Sequence, residues 1–170
     1  MIHAGNPFAD DPYSRDPVRR FRGRLSAPVT IVTAGDESDR TGLTVSSLMI
    51  VEGEPGAVQL VVGPTTDLWH RVAETGRFVI HVCDESRRHV SEVFAGIRPS
   101  PGGIFAGLDV TQSEWGPVIA GLADRAYCSF EDRREVGHSG LVSGLIERVE
   151  LADLTSPLTY FRGSYHTLSS

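Results

Sequence analysis

Three hydroxyls fall within four positions of a segment that is otherwise apolar. In RTGLTVSSLMIV (residues 40–51), Thr44, Ser46 and Ser47 stand among Leu43, Val45, Leu48, Met49, Ile50 and Val51. Two uses are open to them. Thr favours strands and Ser bonds nearby backbone, so the hydroxyls can be spent locally. Alternatively, they face a polar ligand lying against a sheet. About twenty residues on, GPTT (63–66) marks a strand-to-helix junction. A helix N-terminus offers unpaired N–H groups and a dipole that favours an anion, and Thr65 and Thr66 add hydroxyls there. The two segments can either grip the phosphate and ribityl chain of a mononucleotide cofactor or simply cap a helix and polarise a strand.

Composition removes many other chemistries. All 16 basic residues are arginine, so a P-loop lysine, a Schiff-base lysine and an S-x-x-K nucleophile are excluded. Any phosphate must be held by arginine, hydroxyls or backbone N–H groups. A net charge of −6 argues against nucleic-acid binding, and RRFRGR (19–24), the one dense basic cluster, reads as a solvated helix face. The two cysteines, Cys83 and Cys128, form no C-x-x-C pair and read as reduced, buried side chains. His81 and Cys83 share one face of a strand, but no second spaced pair accompanies them, so no metal site is expected. GHSGL (137–141) resembles a nucleophile elbow around Ser139, yet its second glycine comes one position early and no helix follows. A hairpin turn suits it better. No G-x-G-x-x-G opens a helix after a strand, which disfavours Rossmann-type binding.

The elements that must position these residues follow from periodicity. The 170 residues suit one domain, with residues 1–15, rich in Pro, Asp and Gly, as an N-terminal arm and residues 16–170 as the folded unit. Asp16 and Pro17 start a helix whose apolar stripe is Val18, Phe21 and Leu25. APVTIVTAG, residues 40–51 and AVQLVVG read as strands, the last apolar on both faces and so buried. Thr65 or Thr66 caps a short helix carrying Leu68, Trp69 and Val72, closed by Gly76. RFVIHVC puts Phe78, Ile80 and Val82 on one face and Val79, His81 and Cys83 on the other. A helix capped by Asp84 carries Val90, Val93 and Phe94; IRPSPGGIFAG is a mobile, surface-exposed loop. Long strands over about 121–133 and 139–150 meet near EVGHSG, and PLTYFRGSYHTL closes the chain as a strand pair. Strands without regular βαβ alternation imply a mainly β antiparallel barrel with short helices. No apolar run reaches the roughly 20 residues of a membrane span, and the N-terminus lacks a signal peptide's basic start and apolar stretch. The expected location is cytoplasmic.

In order and spacing, TGLTVSSLMIV, LVVGPTTDLWHRVAETGRFVIHV, VSEVFAG and PLTYFRGSYHTL resemble the flavin reductase-like family of FMN-binding split barrels, over residues 17–168. The resemblance implies a six-stranded antiparallel Greek-key split barrel that forms a homodimer. It also implies FMN, with FAD as the alternative, reduced by NAD(P)H as co-substrate and passed to a partner monooxygenase. Thr44, Val45, Ser46 and Ser47 would meet the ribityl chain and ring, and Gly63, Thr65 and Thr66 the phosphate. Two departures stand out. The family's usual Asn in F-x-V-N-V is His81 here, which would alter flavin contacts. Its Gly-Asp-His turn becomes Gly137-His138-Ser139, a change on the nicotinamide side. His138, Ser139 and His166 are the nicotinamide-contact candidates, and no side chain need act as acid or base. Two other functions remain open: a flavin-binding carrier or sensor without turnover, and an interaction module with a vacant barrel.

Overall fold

The computed structural model describes residues 16–168, and the expected arm lies outside the described residues. Helix α1 (Pro17–Arg22) begins where the Val18 N–H donates to the Asp16 carboxylate, with Pro17 in the first turn. Its apolar stripe is not buried: Val18, Phe21 and Leu25 all face solvent.

Next come β1 (Ala27–Pro28), β2 (Thr30–Ala34), β3 (Thr41–Val45), β4 (Leu48–Val51) and β5 (Gly56–Val62). Helix α2 (Asp67–Thr75) leads into β6 (Arg77–Val82), and α3 (Arg88–Phe94) follows a 3-10 turn. A hairpin of β7 (Val110–Ser113) and β8 (Gly116–Ile119) precedes the long strands β9 (Arg125–Val136) and β10 (Ser139–Glu150). The chain ends in β11 (Leu158–Phe161) and β12 (Ser164–Thr167). The sequence pattern gives no sign of the β7–β8 hairpin.

The main sheet is antiparallel, in the order β3-β2-β6-β9-β10-β5-β4. Its two outer strands, β3 and β4, are consecutive in the chain. Three backbone steps, from Val45 to Leu48, span at most about 11 Å, so the sheet must curl until its edges meet. The Val61 N–H donates to the Ser47 carbonyl at 2.8 Å, at that seam. This is the expected barrel class, with seven strands in place of six because the hydroxyl-bearing segment breaks into β3 and β4.

Alternation puts one face of each strand inside. Val32, Val45, Val58, Leu60, Phe78, Cys128 and Val142 fill the interior, and α2 adds Leu68, Trp69 and Val72. Thr66 caps α2 and Gly76 ends it with a left-handed φ of 71°. β5 is buried on one face only, since Val61 is exposed. A second core lies outside the curl, where Ile31 and Cys83 meet Val90 and Phe94 of α3 together with Ile119 and Leu158. The IRPSPGGIFAG segment is exposed over most of its length, as expected, but is anchored there at one point: Phe105 sits edge-on against Phe94 at 5.1 Å, with Ile104 beside it. The sheet of β1, β11 and β12 joins the same outer layer. No helix among the described residues is long and apolar enough to cross a membrane.

Phe78 is fully buried against Gly144, where an added Cβ would stand 2.7 Å from the ring. Phe78→Ala is therefore expected to cost about 3–5 kcal/mol in urea denaturation. A loss below about 1 kcal/mol would contradict this packing.

Candidate functional site

At the seam the backbone leaves one ladder and joins another. Ser46 and Ser47 are half-buried, and neither hydroxyl bonds another side chain or backbone group among the described residues. Thr44 differs. Its hydroxyl donates to the Ser91 carbonyl of α3 at 2.6 Å, tying β3 to that helix. Val45 turns inward and is 3% exposed, with its carbonyl accepting from the Thr30 hydroxyl at 2.6 Å. Of the four expected contacts, only the two serines present unspent side-chain groups.

Strand register brings the other segments alongside. Leu48 pairs with Leu60 and Gly140 with Val62, so one further step sets Ser47 opposite Val61 and Ser139 opposite Gly63. The seam, the GPTT junction and the Gly137–Ser139 turn therefore meet at one end of the sheet. Gly137 adopts φ 60°, the left-handed conformation that a tight β9–β10 hairpin needs. His138 is exposed and Ser139 half-buried. Because the turn joins strand to strand, no nucleophile elbow forms at Ser139.

At the junction Thr66 is spent on local structure. Its hydroxyl donates to the Gly63 carbonyl at 2.7 Å and accepts from the Trp69 N–H at 3.3 Å. Thr65 is exposed. The Asp67 carboxylate occupies the first turn of α2, where it already complements the helix dipole and weakens the pull on an anion.

A contact that no spacing predicted fixes the hairpin against α2. Trp69 lies over Gly140 so closely that a Cβ there would be 2.2 Å from the ring. Arg133 stacks on the same Trp69 ring, its guanidinium 4.8 Å from the ring centroid, and donates to the Trp69 carbonyl at 2.5 Å. The one signal for it in the sequence is Gly140 itself, since a glycine inside a strand often marks close approach.

Two expected site residues are not part of this cluster. His81 is fully buried on the outer face of β6. Its Nδ1 bonds the Ile31 carbonyl at 3.1 Å, and its Nε2 accepts from the Ile119 N–H at 3.2 Å. Those partners place the proton on Nδ1. Both nitrogens are used, so His81 ties β2, β6 and β8 together and has no ring nitrogen left to offer the flavin contact expected of it. His166 is exposed in the small sheet, paired with Thr159 and set against the Phe161 ring.

Comparison with known proteins agrees with this architecture. A family model described as flavin reductase like domain matches residues 22–169. The chain is 30% identical to the reductase component of 4-hydroxyphenylacetate 3-monooxygenase from Thermus thermophilus, covering 85% of this chain and 91% of that protein. It is also 30% identical to the NADH-dependent FMN reductase AsuE2 of Streptomyces nodosus subsp. asukaensis, covering 91% and 85%. One further relative, at 29% identity, is matched over only 46% of its own length. The structure of nitrilotriacetate monooxygenase component B from Mycobacterium thermoresistibile superposes with a TM-score of 0.79 at 28% identity, over 89% of this chain and 85% of that one.

Burial, with a smaller contribution from Arg125, brings the His81 pKa down from 6.5 to about 4. A folded pKa below the unfolded one means that the unfolded chain binds more protons. Stability is then held above about pH 6.5 and lost as the pH falls towards 4. His81→Asn, which cannot titrate, should lack this component, amounting to about 3 kcal/mol between pH 8 and pH 4. Chemical denaturation across that range checks it; parallel stability curves for the two proteins would refute it.

Proposed function

The chain belongs to the flavin reductase-like family, and from that premise we propose that it transfers hydride from NADH to FMN at the seam between β3 and β4. The observation that carries this reading is the convergence of Ser46–Ser47, Gly63–Thr66 and Gly137–Ser139 at one sheet end. A relative of equal reach, 30% identical over 91% of the chain, is an NADH-dependent FMN reductase. The two free serine hydroxyls, set at the rim of an apolar barrel, fit a flat ring with a polar edge. Ser46 and Ser47 would donate to that edge, and Thr65 with the Asp67 and Leu68 N–H groups would meet the phosphate. Thr44 serves by holding β3 against α3. When bound, the flavin supplies the hydride-accepting chemistry.

The protein's own work is positional. α2 closes the barrel behind the site with Leu68, Trp69 and Val72 and keeps water from the inner face. The contact between Trp69, Gly140 and Arg133 sets the distance between hairpin and junction, which fixes how two stacked rings can approach. His138 and Ser139 line the side on which the nicotinamide would stand. His81 is no proton donor here, because burial keeps it neutral and both its nitrogens are bonded.

The same reading makes the chain the reductase component of a two-component monooxygenase, as the Thermus relative is named, acting as a homodimer in the cytoplasm. Two free, buried thiols support a reducing compartment; burial pushes both Cys83 and Cys128 up to about 12.

Anaerobic addition of NADH to the protein with FMN should bleach the flavin, and a flavin that stays oxidised with both NADH and NADPH would overturn the proposal. In Ser46→Ala/Ser47→Ala the KM for FMN should rise roughly 10- to 30-fold, two hydrogen bonds at about 1 kcal/mol each, with kcat little changed. An unchanged KM would remove the serines from the site.

A further inference from the structure

β2 is buried along its whole length, yet two of its five residues are threonine. Valine has the same shape without a hydroxyl that burial must satisfy, so a threonine at such a position has to spend that group on a partner. Both do. Thr33, fully buried, donates to the Pro117 carbonyl at 2.5 Å and ties β2 to β8. Thr30, 2% exposed, donates to the Val45 carbonyl at 2.6 Å and ties β2 to the last residue of β3. The two bonds are alike in kind and burial. They differ in where they land, because the Val45 carbonyl immediately precedes Ser46.

That position has a particular mechanical meaning. Thr30 and Val45 form the final pair of the β2–β3 ladder, and the chain then joins a new ladder at β5. A peptide unit is planar, so holding the Val45 oxygen also holds the nitrogen from which Ser46 starts. On the far side the Ser47 oxygen is held by the Val61 N–H at 2.8 Å. Only the φ and ψ of Ser46 and Ser47 lie between these two held planes. The Thr44 hydroxyl, bonded to the Ser91 carbonyl, steadies the residue before. A crossing without strand partners of its own is thus clamped at both ends.

We infer that Thr30 is a positioning residue: its buried hydroxyl, acting through the Val45 carbonyl, sets the direction in which Ser46 and Ser47 present their hydroxyls to a flavin. This rests on the flavin reading above. Thr30 itself lies behind the seam and offers a ligand no surface. Its part is to keep the serines in the bound arrangement before the ring arrives, which strengthens binding by removing an ordering cost. Hydride transfer within the loaded site does not involve it.

The test is the dissociation constant for FMN of the full chain, measured by quenching of flavin fluorescence, with the thermal midpoint and kcat at saturating FMN read on the same samples. Thr30→Val should raise this Kd about fivefold, as expected for one lost hydrogen bond, and leave kcat unchanged. Thr30→Ser, which keeps the hydroxyl, should return Kd to within about twofold of wild type. Thr33→Val is the matched control. It removes an equally buried bond from the same strand and should lower the thermal midpoint as Thr30→Val does, by about 2–4 °C, with Kd unmoved. A wild-type Kd in Thr30→Val, or an equal rise in Thr33→Val, overturns the inference and leaves Thr30 a stability contact. Should Thr30→Val fail to fold, Thr30→Ala and Thr30→Ser decide: weaker binding in the alanine variant supports the role, and equal binding refutes it. Failure of the parent reading looks different. A wild-type protein that binds no FMN overturns both, whereas bound FMN left oxidised by NADH and NADPH overturns only the reductase reading, and Kd still judges Thr30.

Discussion

Everything in this fold turns on a short chain crossing. β3 and β4 lie at opposite edges of a seven-stranded sheet, yet only Ser46 and Ser47 separate them. A flat sheet would hold those edges about six inter-strand spacings apart, near 29 Å, more than twice what the crossing can reach. Curling is the one solution. It gives every strand an inner face, which explains the alternating burial of Val58, Leu60 and Val62 on β5, and it leaves an open end that α2 plugs with Trp69.

The same crossing accounts for the hydroxyls. Where strands pair, side chains have fixed neighbours on each face. At the seam the backbone changes partners, so Ser46 and Ser47 sit half-buried and their hydroxyls find no partner among the described residues. Larger apolar residues there would have to enter the filled interior or stand in water. Small polar ones tolerate the rim and stay available to a ligand. Stability and the proposed flavin binding thus place compatible demands on the same two positions.

Much of this was legible in the amino-acid order. A cap at Thr65 or Thr66, the stop at Gly76 and the face assignment of β6 follow from local rules, and the structure uses Thr66 and Gly76. The seam was not legible, because residues 40–51 are continuous in propensity and only the return of β4 to β5 divides them. The bonding of His81 was not legible for a related reason. Its place on the outer face was predictable, but the Ile119 N–H that occupies Nε2 comes from the β7–β8 hairpin, which the sequence pattern does not announce. Thr44 is similar: its partner on α3 is 47 residues away. Local periodicity shows which way a side chain points, and it says little about what will already be there.

In the proposed complex a flavin ring is held at the seam by Ser46 and Ser47. A crystal structure of the full chain soaked with FMN tests it most directly. Ring density is expected against those two residues, with the phosphate toward Thr65 and the start of α2. Ring density beside Ile50 and Val51, or none at the seam with FMN bound elsewhere, would contradict it.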